Sequence, residues 1–135
     1  MRRLVLIPLL FAMACAETPR QTAAVADRKA ADEIKLARLL KGYTPGPPQS
    51  CLPQFTRQFR TQGVGDTLLY SENRRVIYRN DTTGCTGVER GDVLLTQNYQ
   101  SQLCRGQIAT TYDAISQNIT GGCAFGDFIP YRKTQ

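Results

Sequence analysis

Hydrophobic positions along this chain follow three different patterns, and each pattern predicts a different kind of element. Residues 4–13 are apolar almost without interruption. Residues 26–40 carry apolar side chains at steps of three and four, the spacing of an amphipathic α-helix. From Cys51 onward the apolar side chains come in short runs that often alternate with polar residues, which is typical of β-strands. The sequence therefore predicts a leader, one helix and a β domain, in that order.

The first apolar run has the layout of an export signal. Arg2 and Arg3 form a positive region before it, and the small residues Ala12 and Ala14 stand just before Cys15. The run is too short to cross a membrane as a helix. We interpret residues 1–14 as a signal peptide and expect the protein to be exported.

The cysteine after this signal predicts how the protein is held. A cysteine directly after the cleavage point resembles the bacterial lipoprotein signal, although Ala12 stands where that motif usually has leucine. The resemblance implies that Cys15 is diacylated and anchors the protein to a membrane. Ala16 is not an aspartate, which in that family implies the periplasmic side of the outer membrane. Ordinary signal cleavage near Ala14 is the alternative.

Residues 15–50 are predicted to connect this leader to the β domain. We expect a tether over residues 15–26, a helix over residues 27–42 and a proline-rich linker over residues 43–50, where Pro45, Pro47 and Pro48 prevent a helix from continuing. The apolar stripe of the helix is narrow and rich in alanine, so we expect the helix to dock weakly or to act as a spacer. The stripe consists of Ala26, Ala30, Ile34, Ala37 and Leu40.

Residues 51–135 are predicted to form the β domain. Short strand-like segments separated by turn residues are typical of an all-β barrel or sandwich, here with about six antiparallel strands. The most regular pair is a hairpin of residues 66–71 and 75–79, in which Leu68 and Tyr70 share one face and Leu69 lies on the other. Pro130 predicts that the last strand is an edge strand or ends there. The six segments are residues 52–61, 66–71, 75–79, 92–97, 103–115 and 123–131.

The cysteines are predicted to staple this domain. The chain has five cysteines, and assigning Cys15 to lipid leaves four, an even set that suits an oxidising compartment. If the six segments run alternately up and down, Cys51 and Cys104 lie at one end of the domain and Cys85 and Cys123 at the other. Because a disulfide needs Cα atoms within about 7 Å of each other, we predict the pairs Cys51–Cys104 and Cys85–Cys123.

The composition excludes several kinds of chemistry. The chain has no histidine, which removes the commonest general base and the commonest metal ligand, and we predict no metal and no cofactor. The net charge of +6 is spread along the chain, so we predict no nucleic-acid partner. The densest basic positions are Arg74 and Arg75 with Arg79, and the terminal pair Arg132 and Lys133. We interpret them as solvated charges, and an anionic lipid or polymer bound through the first three is the alternative.

Acidic residues and one arginine are the remaining candidates for a site. Arg105 follows Cys104, and Asp127 lies between Gly126 and Phe128, but local structural roles explain both patterns better than catalysis does. We predict no catalytic residue, and a small hydrolase that depends on carboxylates such as Asp127 is the rival hypothesis. Further carboxylates that would have to pair on folding are Asp66, Glu89, Asp92 and Asp113.

The layout of the chain resembles a group of small exported proteins of alphaproteobacteria. The resemblance covers roughly residues 36–132, and the group is a domain of unknown function, so it implies no activity and no ligand. The matching stretches are Leu40-Lys-Gly42, Gly46-Pro-Pro-Gln-Ser-Cys51, Thr67-Leu-Leu-Tyr70, Val76-Ile-Tyr-Arg-Asn80, Leu103-Cys-Arg-Gly106 and Cys123-Ala-Phe-Gly-Asp-Phe-Ile-Pro-Tyr131.

Together these patterns predict a non-enzymatic envelope lipoprotein with a disulfide-stapled β domain. Its expected role is binding or structural, for example as an inhibitor or accessory subunit of an envelope enzyme. The expected partners are a membrane, through the lipid on Cys15, and a protein of the envelope.

Overall fold

The structure is a computed structural model in which residues 18–52, 58–96 and 102–135 are described. The predicted signal peptide and Cys15 lie outside the described residues. The predicted fold class is confirmed: strands in antiparallel sheets follow one N-terminal helix, and the sheets form a sandwich rather than a closed barrel. The elements are α1 (Pro19–Leu39), β1 (Tyr43–Pro45), β2 (Cys51–Leu52), β3 (Arg60–Val64), β4 (Thr67–Ser71), β5 (Val76–Asp81), a 3-10 helix (Cys85–Arg90), β6 (Val93–Thr96), β7 (Leu103–Cys104), β8 (Ile108–Tyr112), β9 (Ile119–Ala124) and β10 (Phe128–Lys133).

The strands form three sheets. A large sheet has the order β1-β10-β5-β4-β3, a small sheet has the order β6-β8-β9, and β2 pairs with β7. The predicted hairpin is confirmed as β4 and β5, with Ser71 opposite Ile77. Its turn is fixed by the Asn73 side chain, whose Oδ1 accepts the backbone N–H groups of Arg75 and Val76 at 2.8 and 3.2 Å.

Both faces of the large sheet are covered. Successive residues of a strand point to opposite faces, so Leu68 and Tyr70 enter one cluster and Leu69 enters another, as predicted. The first cluster is the main core between the large sheet and the other two sheets. The second lies under α1, where Leu36 and Leu40 pack against Val64 and Leu69. The main core contains Leu52, Leu68, Tyr70, Tyr78, Cys85, Leu103, Ala109, Cys123, Phe125 and Phe128.

The helix differs from the prediction in its length and in its buried side. It begins at Pro19 rather than residue 27, because Pro19 occupies the first turn, where no N–H is needed, and the Gln21 side chain accepts the Thr18 N–H at 3.1 Å. The predicted tether is therefore partly helical. Of the predicted stripe only Leu40 is buried, since Ile34 is 63% exposed, and the remaining buried contact comes from Leu36, which is 2% exposed. The helix therefore packs on the sheet through its leucines rather than through its alanines.

The predicted linker over residues 43–50 is part of the large sheet. Tyr43–Pro45 forms β1, which pairs with β10 at the edge of the sheet. Beyond β1, the Gly46 N–H donates to the Pro130 carbonyl at 2.7 Å and the Gln49 N–H donates to the Phe128 carbonyl at 2.9 Å. Prolines are tolerated here because an edge strand leaves one side of its backbone unpaired.

The prediction for Pro130 is wrong, since β10 runs past it and lies between β1 and β5. The carbonyl of Pro130 accepts from Gly46 on the β1 side. The N and the carbonyl of one strand residue point to the same side, so the missing N–H of Pro130 also faces β1. Regular pairing between β1 and β10 ends at Pro45, which lies opposite Tyr131, so the missing N–H of Pro130 faces a position without a regular partner. The hydrogen bonds between β10 and β5 are therefore not affected.

Ten strands replace the predicted six because three of the predicted segments each contain two strands and β1 forms in the predicted linker. The segment 103–115 divides into β7 and β8 at Gly106, which adopts a φ of +82° that favours glycine. The segment 123–131 divides at residues 125–127, and its two parts join different sheets as β9 and β10. Residues 53–57 of the first segment lie outside the described residues.

The two disulfides join the predicted pairs. Cys51 and Cys104 lie opposite each other in the β2–β7 pair with Cα atoms 4.0 Å apart. Cys85, in the 3-10 helix, is joined to Cys123 in β9 with Cα atoms 5.0 Å apart. Two disulfides indicate an oxidising compartment, as expected of an exported protein. Within the described residues, no helix is both long and apolar enough to cross a membrane.

Candidate functional site: an uncovered apolar sheet face

The small sheet has one face in the core and one face in solvent. Ala109, Thr111 and Cys123 point inward and are 1–3% exposed. In an antiparallel pair, opposite residues share a face. The register places Val93 opposite Tyr112, Leu95 opposite Thr110, and Tyr112 opposite Ile119. The apolar side chains of the outward face, called the apolar sheet face below, are therefore Val93, Leu95, Ile108, Tyr112 and Ile119, with Thr110 between them.

The apolar sheet face is largely exposed. Leu95, Ile108 and Ile119 are 52%, 73% and 77% exposed, and Val93 is 38% exposed. Ile115, in the turn between β8 and β9, extends this surface and is 94% exposed. Single exposed hydrophobic residues are normal on a protein, whereas a contiguous group of this kind marks an interaction site.

The chemistry of the sheet strengthens this interpretation. The strands β6, β8 and β9 contain no Asp, Glu, Lys or Arg. Natural proteins usually guard edge strands with charges or proline, and β6 and β9 are the outer strands of this sheet. On the outward face of β9, Gly122 lies opposite Thr110. The face can bind an apolar surface.

The structure brings Arg105 and Asp127 together. The Arg105 Nη1 lies 3.2 Å from a carboxylate oxygen of Asp127, and the two side chains are 60% and 41% exposed. Cys104, beside them, is in a disulfide and offers no thiolate. An exposed ion pair of this kind contributes little to stability. Asp127 was predicted to bond the local backbone, whereas its carboxylate binds the Arg105 side chain.

The other predicted carboxylates are separated, and each has a structural partner. Asp66 Oδ1 accepts the Gly84 N–H at 3.3 Å, and Asp92 accepts from the Thr120 hydroxyl at 2.7 Å. Asp113 accepts the N–H groups of Ile115 and Ser116 in the β8–β9 turn, which lowers the pKa of its carboxyl. These carboxylates therefore stabilise turns and connections.

Glu89 connects the 3-10 helix to α1. Its carboxylate lies 2.5 Å from the Lys35 Nζ and accepts the Gly65 N–H at 3.0 Å. The bond from Lys35 and the bond from Gly65 hold the pKa of Glu89 below its ordinary value. Asp32 of α1 lies against the same turn, since a Cβ added to Gly65 would meet its carboxylate.

The predicted trio Arg74, Arg75 and Arg79 is separated by the fold. Arg79 lies under the helix, where it pairs with Asp81 at 2.9 Å and Glu33 at 3.2 Å. Arg74 and Arg75 lie in the β4–β5 turn and meet the terminal pair instead. The Lys133 N–H donates to the Arg75 carbonyl at 2.8 Å, and Arg132 lies opposite Val76. Arg74, Arg75, Arg132 and Lys133 are called the basic end below.

A small cavity lies at the open side of the sandwich. It measures about 210 Å³, below the roughly 300–1,000 Å³ of typical ligand pockets. The Tyr70 hydroxyl is buried beside it and has no hydrogen-bond partner among the described residues, and burial raises the pKa of this phenol. The cavity is lined by Leu52, Phe59, Thr61, Tyr70, Leu94, Thr96 and Leu103.

Sequence reasoning missed the apolar sheet face and the composition of the basic end. A signal for the first was present, since Val93, Leu95 and Ile108 stand at alternate positions of segments without charge. The pattern does not tell which face of an alternating strand is covered. The basic end joins residues more than fifty positions apart, and only the pairing of β5 with β10 brings them together.

Comparison with known proteins adds no relative. No protein-family model matches the chain, no curated protein matches its sequence, and no solved structure matches its fold. The resemblance to the exported alphaproteobacterial group therefore stays a prediction, and the function has to be inferred from the surfaces of this molecule.

Proposed function

We propose that this protein is a non-catalytic, membrane-anchored binding protein of a bacterial envelope, and that it docks onto a partner protein through the apolar sheet face. The observation that supports this most is the group of exposed hydrophobic side chains on the three uncharged strands of the small sheet. An inhibitor or accessory subunit of an envelope enzyme is the kind of role that such a surface serves.

Export and anchoring are supported by the sequence and by the disulfides. The run of residues 1–14 has the layout of an export signal, and Cys15 follows it directly. Two disulfides suit the oxidising periplasm. Mass spectrometry of the mature N-terminus tests the anchor. A diacylated Cys15 is expected, and a free N-terminus at Cys15 or Glu17 would contradict lipidation.

A protein suits the apolar sheet face better than a lipid bilayer does. The outer strands β6 and β9 border the face, and apart from a bridge between Ala124 and Thr83 their outer edges pair with no strand within the described residues. Open strand edges are costly in hydrocarbon because their backbone groups find no hydrogen-bond partners there. A partner protein can satisfy such edges while it covers the side chains. A second copy of this chain is less favoured, because removal of residues 1–14 leaves 15 basic and 11 acidic residues and two such chains repel.

A photo-crosslinking amino acid at position 108 tests this proposal in the cells that produce the protein. Position 34 is the matched control, because Ile34 is 63% exposed on the helix and Ile108 is 73% exposed on the sheet. We expect a discrete adduct with one other protein from position 108 and none from position 34. That protein, once purified, should bind the double variant Leu95→Thr, Ile119→Thr roughly tenfold or more weakly, because two buried apolar contacts are lost.

Two outcomes contradict the proposal. An adduct of the protein with itself would make the face a homodimer contact, and equal adducts from positions 108 and 34 would show that neither surface is specific. The double variant should keep its free energy of unfolding within about 0.5 kcal/mol of the wild type, because both side chains are exposed. Denaturation measurements therefore separate lost binding from lost folding.

A further inference from the structure

The basic end is a second surface whose composition calls for a ligand. The strand pairing gathers Arg74, Arg75, Arg132 and Lys133 at one end of the large sheet, and all of them are exposed. Within the described residues, these side chains enter no ion pair. Lys35, Arg79, Arg90 and Arg105 each lie within 4 Å of a carboxylate, whereas the four cations of the basic end are gathered in one place without one among the described residues.

The backbone that carries these cations is held firmly. The Tyr43 hydroxyl donates to the Arg74 carbonyl at 2.9 Å, and the Lys133 N–H donates to the Arg75 carbonyl at 2.8 Å. The Asn73 side chain fixes the turn from within. These bonds therefore fix the backbone from which the cations project, which reduces the entropy that the backbone would lose when a ligand binds.

Three of the four cations line an open depression of about 570 Å³. Arg75, Arg132 and Lys133 line it together with Val76, Thr134 and Gln135. The Arg75 carbonyl accepts from the Lys133 N–H at 2.8 Å, so these two residues lie side by side on backbone segments that are about 4.8 Å apart. A ligand with two or more negative charges can contact cations of both segments, and guanidinium groups bind phosphate oxygens in pairs.

We propose that the basic end binds a multivalent phosphate ligand, such as a diphosphate group. This surface is separate from the apolar sheet face, so the proposal does not depend on the proposed partner.

The two ends of the helix lie at opposite ends of the large sheet. Asp32 lies against the Gly65 turn, which is at the end away from the basic end, and the part of the helix before Asp32 extends from there. The last residues of the helix lead into β1, which is at the basic end. A chain held by its N-terminus presents the basic end away from its own anchor. The ligand is therefore soluble or belongs to another surface.

Calorimetric titration with inorganic pyrophosphate and with monovalent inorganic sulfamate tests the charge requirement. We expect pyrophosphate to bind, with an affinity that falls as salt is added, and sulfamate to bind far more weakly. The double variant Arg75→Gln, Lys133→Gln should bind pyrophosphate roughly tenfold or more weakly, since it loses charge-assisted hydrogen bonds from two cations. The pair Arg74→Gln, Arg132→Gln should act in the same direction.

The matched control is Arg20→Gln, Arg28→Gln, which removes the same charge from exposed positions on the helix. It should bind pyrophosphate within about twofold of the wild type, because exposed charges farther away than a Debye length are largely screened. Equal losses in the control and in the basic-end variants would show a non-specific charge effect and overturn the proposal. Absence of pyrophosphate binding together with absence of vesicle binding would also overturn it.

Vesicles distinguish the two sources of the phosphate. Phosphatidylcholine vesicles with and without cardiolipin, which carries two phosphates, are compared in a sedimentation assay on the protein without its acyl chains. Binding of pyrophosphate alone identifies a soluble ligand. Binding to the cardiolipin vesicles that Arg75→Gln, Lys133→Gln abolishes identifies a lipid headgroup. Both results support the phosphate site.

Discussion

The two main sheets of this protein share the same alternating pattern, but only the large sheet has both faces covered. On its outer face, Val64 and Leu69 are 1% and 4% exposed because α1 lies over them. On the outer face of the small sheet, Ile108 and Ile119 are 73% and 77% exposed. The side chains are of the same kind, so the difference lies in the cover and not in the strands.

The cover of the large sheet is provided by identifiable side chains of α1. The helix supplies Leu36, Leu39 and Leu40 to the large sheet, and Lys35 and Glu33 add ion pairs to Glu89 and Arg79. Nothing in the described residues supplies an equivalent layer to the small sheet. We infer that the missing layer belongs to a partner. The following predictions break or sharpen this comparison, beginning with the largest effect.

The first prediction concerns the disulfide that ties the small sheet to the 3-10 helix. Replacing both Cys85 and Cys123 with alanine should lower the free energy of unfolding by about 4 kcal/mol, because the bridge closes a long loop in the unfolded chain. The two cysteines are 38 positions apart and are 0% and 3% exposed. Urea denaturation of the oxidised proteins measures the change. A loss below about 1 kcal/mol would show that the small sheet is held by packing alone.

The second prediction compares a side chain between α1 and the large sheet with a side chain on the uncovered face of the small sheet. Leu36→Ala should cost about 3 kcal/mol, because it removes a side chain that is 2% exposed in a packed cluster. Ile108→Ala should change stability by no more than about 0.5 kcal/mol, because that side chain lies in solvent. Chemical denaturation of both variants, with Ile34→Ala as a control on the same helix, gives the numbers. Equal losses for Leu36 and Ile34 would show that the helix is the loose spacer that its alanine stripe predicts.

The third prediction concerns the contact between Lys35 and Glu89, which holds the helix to the 3-10 helix. Because the folded state lowers the pKa of Glu89, its contribution to stability is present above the unfolded pKa of about 4.3 and is lost as the pH falls through the folded value. Glu89→Gln should therefore be less stable than the wild type at neutral pH, by no more than about 1 kcal/mol for so exposed a pair. The difference should vanish in acid.

Denaturation curves at neutral pH and below the folded pKa of Glu89 measure this dependence. Asp27→Asn, on the exposed part of the helix, is the control and should behave like the wild type at both pH values. A difference between Glu89→Gln and the wild type that persists in acid would show that the carboxylate acts through packing rather than through its charge.

Sequence patterns predicted what local rules determine. The β4–β5 hairpin follows from the alternation of Leu68, Leu69 and Tyr70 around a polar turn. The cysteine pairs are as predicted, but the up-and-down order of six strands from which they were predicted is not the observed order. The helix was placed on the wrong side because periodicity counts alanine and leucine alike, whereas burial rewards the larger side chain. Pro45, Pro47 and Pro48 predicted a linker where the structure has β1, because the strand depends on its pairing with β10, which is distant in the sequence.

The surfaces were harder to predict than the strands. The alternation of β6 and β8 is visible in the sequence, but whether its outer side is covered depends on which other element reaches it. The basic end depends on a contact between Arg75 and Lys133, which are far apart in the chain. The sequence identified Arg74 with Arg75 and Arg132 with Lys133, but not that the fold brings the two pairs together. It also grouped Arg79 with the first pair, although Arg79 forms ion pairs with Glu33 and Asp81 instead.

The position of β10 has a consequence for how the chain acquires its fold. β10 is the last strand in sequence, yet it lies between β1 and β5 in the large sheet. During synthesis and export, therefore, the β3–β4–β5 meander can form early, but β1 has no neighbour until the end of the chain emerges. Such long-range pairing is slow. Because β10 is synthesised last and lies inside the large sheet, the sheet cannot be completed before the whole chain is available. We expect this delay to help the chain stay unfolded until it has crossed the membrane.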